Sequence, residues 1–398
     1  MPADPCSVSG RGDKGMDEYT IKIPFNKPFI VGNELYNIAQ AVIKGHLAGD
    51  GYFTKQCHKW LEERLGCKKA LLTHSCTAAL EMTAILCDIK PGDEIILPSF
   101  TFVSTANAFV LRGGTPIFVD IRPDTLNIDE KKIEDAITRK TKVIVPMHYA
   151  GVPCAMDDIM NIAQKHNLFI IEDAAQALMS TYKNRFLGTI GNLGCLSFHE
   201  TKNIISGEGG ALLVNDQQFI KRSEIIREKG TDRARFFRGE VDKYSWVDIG
   251  SSYLPSELTG AFLYAQMEQA EQIIEKRRRM FAHYYALLRP LEDQGIIRLP
   301  YIDSNCAGNA HIFYIITKSP DERKRLIAHM KKSGVLAVFH YVPLHSSQAG
   351  LKFGRVSGTM DVTDNIGNCL LRLPLYYEIN DDTVQFVSET ITRFYKGK

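Results

Sequence analysis

The chain has 398 residues, and its 48 Lys and Arg nearly balance 46 Asp and Glu, leaving a formal charge of +2 with 44% hydrophobic residues. That length accommodates one large and one smaller domain with complete cores. Near-neutral charge without a long basic stripe excludes nucleic acid as the main partner, and no run reaches the roughly 18 apolar residues that a bilayer span requires.

Met1 to Gly15 is polar and rich in Gly, Ser and Asp. It has no apolar core of the signal-peptide type, so residues 1–22 read as a flexible extension outside the fold. Helical periodicity follows over Glu34 to Leu47 and Cys57 to Arg64, with Gly49 to Thr54 as the loop between them. Ala70-Leu71-Leu72 reads as a strand, and Ser75 as the N-cap of a helix from Thr77 to about Cys87. Unbonded N–H groups and the positive dipole end at that helix start make an anion site, with the Thr77 hydroxyl as a further donor.

Glu94 to Leu97, Pro116 to Val119, Lys142 to Pro146 and Leu168 to Ile171 read as strands. Helices fall near Thr105 to Leu111, Glu130 to Ile137 and Met156 to His166. This alternation predicts an α/β fold with a mostly parallel sheet covered on both faces. A buried parallel strand ending at Ile171 delivers Glu172 and Asp173 to the edge where such sheets open a ligand crevice. Gln176, three residues on, reaches the same side of a turn.

Leu193 to Phe198 and Ala211 to Val214 read as two more strands, bracketing Lys202 and the tight Gly207 to Gly210 loop. Separately, each of these residues has a plainer reading: most lysines are solvated, and a strand-end acid or a Ser before a helix usually caps. Together they supply an amine at Lys202, a carboxylate at Asp173 and phosphate donors near Ser75, which are the three requirements of pyridoxal 5'-phosphate.

Beyond Pro255 a long helical stretch, Ser256 to about Leu288, leads into a smaller C-terminal domain. Its expected strands are His311 to Thr317 and Leu336 to Phe339, with helices near Asp321 to Lys332 and Asp381 to Phe394. The expected domains are therefore 23–255 and 256–398. The run Lys276 to Arg279 reads as a solvated helix face with Glu275 paired to Arg279. Arg227, Arg233, Arg235 and Arg238 are candidates for a diphosphate contact across a subunit interface, although loop arginines are more often solvated. Nine cysteines without metal-like spacing read as reduced thiols of a cytoplasmic enzyme, with no metal site. A dinucleotide-binding dehydrogenase would also alternate strand and helix, but no GxGxxG follows the first strand.

The chain resembles the DegT-type sugar-nucleotide aminotransferases of the fold-type I, aspartate-aminotransferase-like superfamily, from about Ile23 to Phe394. The resemblance is carried by Pro98 to Asn107, Val119-Asp120, His148 to Gly151, Glu172 to Gln176, Ser197 to Asn203, Gly207 to Gly210 and His340 to His345. It implies Lys202 as the Schiff-base lysine and acid/base, Asp173 against the pyridine nitrogen, Gln176 beside the phenolic oxygen and Phe102 over the ring. It implies phosphate contacts from Cys76, Thr77 and Ser197. Cys76 stands where many relatives have glycine, and Ser252 where many have an asparagine that reaches the neighbouring subunit's phosphate. Asp50, Tyr52, Phe53, His340, Tyr341 and His345 fall in loops that relatives place near the sugar or nucleotide, while His148 and His199 are weaker candidates.

Deoxygenating members of the family carry histidine in place of the lysine, so Lys202 implies transamination. The implied reaction moves the amino group of L-glutamate to carbon 4 of dTDP-4-keto-6-deoxyglucose, giving the 4-amino-4,6-dideoxygalactose product, in a homodimer with shared active sites. The glucose-configured product, a 3-ketosugar substrate and a non-catalytic cofactor-binding regulator are the alternatives.

Overall fold

The computed structural model describes residues 20–301 and 306–397. The extension expected over 1–22 lies outside the described residues up to residue 19. Lys22 and Ile23 are already tied down, both donating to the Gly334 carbonyl.

The strands in chain order are β1 (Lys69–Thr73), β2 (Glu94–Pro98), β3 (Thr115–Val119), β4 (Thr141–Ile144), β5 (Phe169–Asp173), β6 (Thr181–Tyr182), β7 (Arg185–Phe186), β8 (Leu193–Ser197), β9 (Gly210–Val214), β10 (Phe313–Ile316), β11 (Arg355–Val356) and β12 (Leu370–Leu373). Eight form one sheet in the order β1-β9-β8-β5-β4-β2-β3-β11. β9 runs antiparallel to both β1 and β8, and the remaining pairs are parallel.

Side-chain alternation along each strand feeds two separate cores. Ala70, Leu72, Ile170, Ala211 and Leu213 face one, while Leu71, Ile171, Leu212 and Val214 face the other. Both sheet faces are therefore covered, as near-continuous apolar strands require. A third core gathers Met280, Tyr284 and Leu288 with Phe313, Leu371 and Ile391 around the two-stranded β10-β12 sheet. Helix Ala270–Asp293 bridges these bodies, because its Ile273 and Ile274 belong to the first core and its Met280 to the third.

Four expectations are corrected. The stretch from Ser256 is two helices, Glu257–Glu268 and Ala270–Asp293, divided at Gln269. Leu336 to Phe339 forms only an isolated bridge from Val338 to Arg372, and β12 takes the place beside β10. The helix expected from Cys57 already begins at Tyr52. The basic run is no uniform solvated face: Arg277 is buried, and Arg279 points to Asp381 at 3.5 Å instead of Glu275.

Candidate active site

The parallel strands converge on Asp173 and Lys202. Asp173 closes β5 and is 3% exposed. Its Oδ2 accepts the Thr105 hydroxyl at 2.6 Å, and Oδ1 accepts the Ala175 N–H at 3.1 Å. Thr105 spends its one proton on that carboxylate, so the Thr101 hydroxyl 2.8 Å away donates to Thr105. The neighbouring Glu172 is buried facing the opposite side of the strand. It accepts the N–H groups of Gly188, Ile190 and Gly191 at 2.8, 2.6 and 2.6 Å, and His148 Nε2 at 2.9 Å. Because His148 Nδ1 accepts the Cys154 N–H, the ring proton sits on Nε2. This pair is thus a structural clasp, and His148 has no free edge for a ligand.

Lys202 lies between β8 and β9, half-buried, in the wall of a cavity of about 10 Å³ shared with Ala175, Gln176, Ser197, Asn203 and His311. Burial pushes its ammonium below the ordinary lysine range, with the charge of Asp173 opposing and that of Arg372 reinforcing the shift. Of the glycines after Lys202, Gly210 packs against the neighbouring helix start. A Cβ there would stand 2.4 Å from the Cys76 nitrogen, so this glycine admits the start of the adjoining helix.

That helix spans Cys76–Leu86 and is capped by Ser75, whose hydroxyl accepts the Ala78 N–H at 3.1 Å. The Cys76 and Thr77 N–H groups donate to nothing among the described residues. The Thr77 hydroxyl lies 2.8 Å from that of Ser104, which sequence reasoning did not single out. Ser197 ends β8 on the same side. Phe102 starts the helix Val103–Val110 and is exposed, its ring 6.4 Å from that of Tyr341.

Other expected residues are committed to the fold. Gln176 reaches the site, but its amide accepts the Ala150 N–H and donates to the Tyr341 hydroxyl, both at 2.7 Å. Tyr341 stacks on His340 at 3.8 Å, and His340 Nδ1 lies 2.7 Å from the Tyr149 hydroxyl. This aromatic wall stands close enough to Lys202 for its charge to help hold the His340 ring neutral, after burial and Arg372. His345 is occupied by Ser99 at 2.8 Å and Asp364 at 3.4 Å.

Of the Gly49 to Thr54 candidates, Phe53 is buried against Ala41 and Ala261 and offers a ligand nothing. Both Asp50 carboxylate oxygens are taken by Arg227, which also donates to the Leu72 carbonyl. Tyr52 remains exposed beneath the Lys44 ammonium. The other loop arginines are paired: Arg233 with Glu228, Arg235 with Glu240, and Arg238 with Glu224 and Glu240. Ser252 is exposed and bridges to Glu228.

A buried carboxylate, a desolvated amine and a helix start with unspent N–H donors fit the ring nitrogen, aldehyde and phosphate of pyridoxal phosphate. A mostly parallel sheet bearing this set at its strand ends defines the fold-type I pyridoxal-phosphate enzymes. The chain belongs to the DegT/DnrJ/EryC1/StrS aminotransferase family, whose profile it matches over residues 30–392. It is a pyridoxal-phosphate-dependent aminotransferase.

Among curated proteins it is 31% identical over 386 residues to the spore coat polysaccharide biosynthesis protein SpsC of Bacillus subtilis, covering 94% of this chain and 97% of that one. It is 32% identical over 310 residues to the pleiotropic regulatory protein of Geobacillus stearothermophilus, covering 77% and 80%. Among solved structures, the putative sugar aminotransferase Spr1654 of Streptococcus pneumoniae in its PMP form superposes with a TM-score of 0.87 at 25% identity, covering 94% of this chain and all of that one. A DegT DnrJ EryC1 StrS aminotransferase of Brucella abortus gives 0.84 at 27%, covering 92% and 96%. No helix among the described residues is long and apolar enough to cross a membrane.

Proposed function

We propose that this enzyme transfers the amino group of L-glutamate to carbon 4 of dTDP-4-keto-6-deoxyglucose, giving dTDP-4-amino-4,6-dideoxygalactose for surface polysaccharide. The observation that carries the reading is the opposition of a half-buried Lys202 to a buried Asp173 held by Thr105. Bound pyridoxal phosphate supplies an electron sink that acidifies the substrate carbon.

Lys202 is the attachment residue. Its depressed basicity leaves more of the amine neutral, and once released it moves the proton at the substrate carbon, a role worth roughly 10²–10⁴-fold. Asp173 keeps the ring nitrogen protonated. The Cys76 and Thr77 N–H groups, with the hydroxyls of Thr77 and Ser197, bind the phosphate at the helix start, while Phe102 covers the ring. Arg372 supports a carboxylate-bearing donor. Half-buried, its guanidinium donates only to the Phe339 carbonyl, lies over the Phe25 ring and meets no carboxylate among the described residues.

The name of the Bacillus relative supports a polysaccharide route. Cys57, Cys67, Cys76, Cys87, Cys154, Cys195 and Cys369 are buried free thiols, which supports a cytoplasmic enzyme. The resemblance supports a homodimer in which Ser252 approaches the neighbouring subunit's phosphate.

The test is incubation with glutamate and dTDP-4-keto-6-deoxyglucose, reading the product by mass and by proton couplings at carbon 4. A small coupling gives the galactose product, and large diaxial couplings correct it to the glucose epimer. No aminosugar from a protein that holds the cofactor on Lys202 rejects this substrate and brings forward 3-ketosugars or a regulatory role.

A further inference from the structure

Arg277 is 2% exposed yet meets no carboxylate among the described residues. Its guanidinium donates to the carbonyls of Ala310 at 3.1 Å, His311 at 2.6 Å and Leu375 at 3.1 Å. Arg278 adds a bond to the Gly308 carbonyl at 2.7 Å. Burying a cation is tolerated only where acceptors replace its lost water. Here most of them belong to one short segment, which includes Ala310 in the left-handed region at φ 52°.

The segment so anchored reaches the lysine. Asn309 donates to the carbonyls of Gln176 and Leu178, both at 2.9 Å. Asn203, next to Lys202 in the chain, donates its Nδ2 to the Asn309 carbonyl at 2.8 Å. That bond orients the amide and turns Oδ1 toward His311 Nδ1, 3.0 Å away. An amide oxygen only accepts, so the imidazole carries its proton on Nδ1. Lys202, Asn203, Asn309 and His311 line one small cavity.

We propose that His311 is a positioning residue for Lys202: its Nδ1–H fixes Asn203, Asn203 fixes the backbone bearing the lysine, and Arg277 anchors the segment that presents the imidazole. The inference rests on the reading of Lys202 as the attachment residue. Lys202 sits in a long excursion between β8 and β9, and its own N–H bonds only locally, to the His199 carbonyl. The Asn203 contacts tie that excursion to the body of the protein. Groups facing the amine are Cys76 from the helix Cys76–Leu86, Asp173 from β5, Arg372 from β12 and the rings of His311 and His340. Releasing the lysine from this wall rehydrates its ammonium and raises its basicity.

The experiment uses the full chain without cofactor. Trace acetylation by an amine-selective anhydride across pH, read by mass spectrometry at Lys202, reports the basicity of its amine. In His311→Leu the midpoint rises by about half a pH unit or more toward the ordinary lysine value of about 10.4. His311→Asn places an amide nitrogen where Nδ1 stood and restores the wild-type midpoint, which a purely space-filling role would not achieve. Asn203→Ala reproduces the rise independently if His311→Leu does not fold. An unchanged midpoint in the folded variants overturns the proposal. So does a fall, because it would make His311 a direct acceptor for the amine, and so does failure of asparagine to rescue. Failure of the underlying reading shows differently: borohydride reduction of wild type with pyridoxal phosphate would then mark a lysine other than Lys202.

Discussion

The contact between Thr105 and Asp173 assigns a measurable role to a hydroxyl. Hydrogen bonds to charged groups contribute about 1.5–3 kcal/mol. Thr105→Val therefore lowers kcat/KM by about 10- to 100-fold with little change in folding, while Asp173→Asn, which removes the charge itself, lowers it by roughly 100-fold or more. Steady-state kinetics on both variants checks the order; equal, small effects would remove Asp173 from the chemistry. His58 gives a pH prediction of definite sign. Its Nε2 accepts the Leu72 N–H, and burial, aided by Arg227, pushes it down to about 3. The unfolded chain takes up a proton below about 6.5 that the folded protein refuses, so stability falls as pH drops from there toward 3, by up to about 1.4 kcal/mol per unit. His58→Gln retains an acceptor without the titration and flattens that slope in urea unfolding. The positions of Asp173 at the end of β5 and of Lys202 in the connection between β8 and β9 were legible because apolar strand patterns flank them in the sequence. Thr105 was not, since it lies 68 residues from Asp173. Arg277 was misread because a run of basic residues resembles a solvated face until carbonyls from distant segments are seen around one of them.

At the level of elements, the helix Tyr52–Leu65 shows how a boundary can depend on a residue far away. Its N-cap is Gly51, which has no side chain to satisfy the first turn. Glu257, 1% exposed, serves instead, accepting the N–H groups of Gly51, Phe53 and Thr54 at 3.1, 2.5 and 3.3 Å and the Thr54 hydroxyl at 2.6 Å. A carboxylate at a helix start also complements the dipole. Local periodicity placed the helix start at Cys57 because nothing in the local sequence reveals a cap 203 residues away. Glu257→Ala leaves those donors buried and unpaired, and should cost about 3 kcal/mol. That loss appears as a lower urea midpoint at unchanged slope; a shift below about 0.5 kcal/mol, typical of a neutral surface change, would show that water caps the helix equally well. The missed β12 has a different cause. It follows the helix Asp361–Cys369 directly, without turn residues, so the two patterns merge in the sequence.

Across the whole molecule, the first helix, Glu34–Ile43, is inverted relative to a surface helix of a lone subunit. Its buried side carries Glu34, Asn37 and Ala41, with Glu34 accepting Val31 N–H, Gly32 N–H and the Gln266 amide. Leu35, Tyr36, Val42 and Ile43 are 66, 62, 54 and 75% exposed. Single exposed apolar residues are ordinary, but a run of them on one helix, with charge and amide inside, marks a face made for contact. The segment after Arg233 adds Phe237, Tyr244 and Trp246, all exposed. Obligate homodimers commonly bury more than about 2,000 Å² of largely apolar surface, and a second copy of this chain is the occupant that the proposed shared active site requires. Light scattering after gel filtration should therefore give about twice the 44.7 kDa of one chain. Leu35→Asp combined with Ile43→Asp should shift the protein toward monomer and lower activity together if, as proposed, each active site borrows residues from the neighbouring subunit. A monomeric wild type at micromolar concentration would separate this face from catalysis. A dimeric double variant would place the subunit contact on another surface.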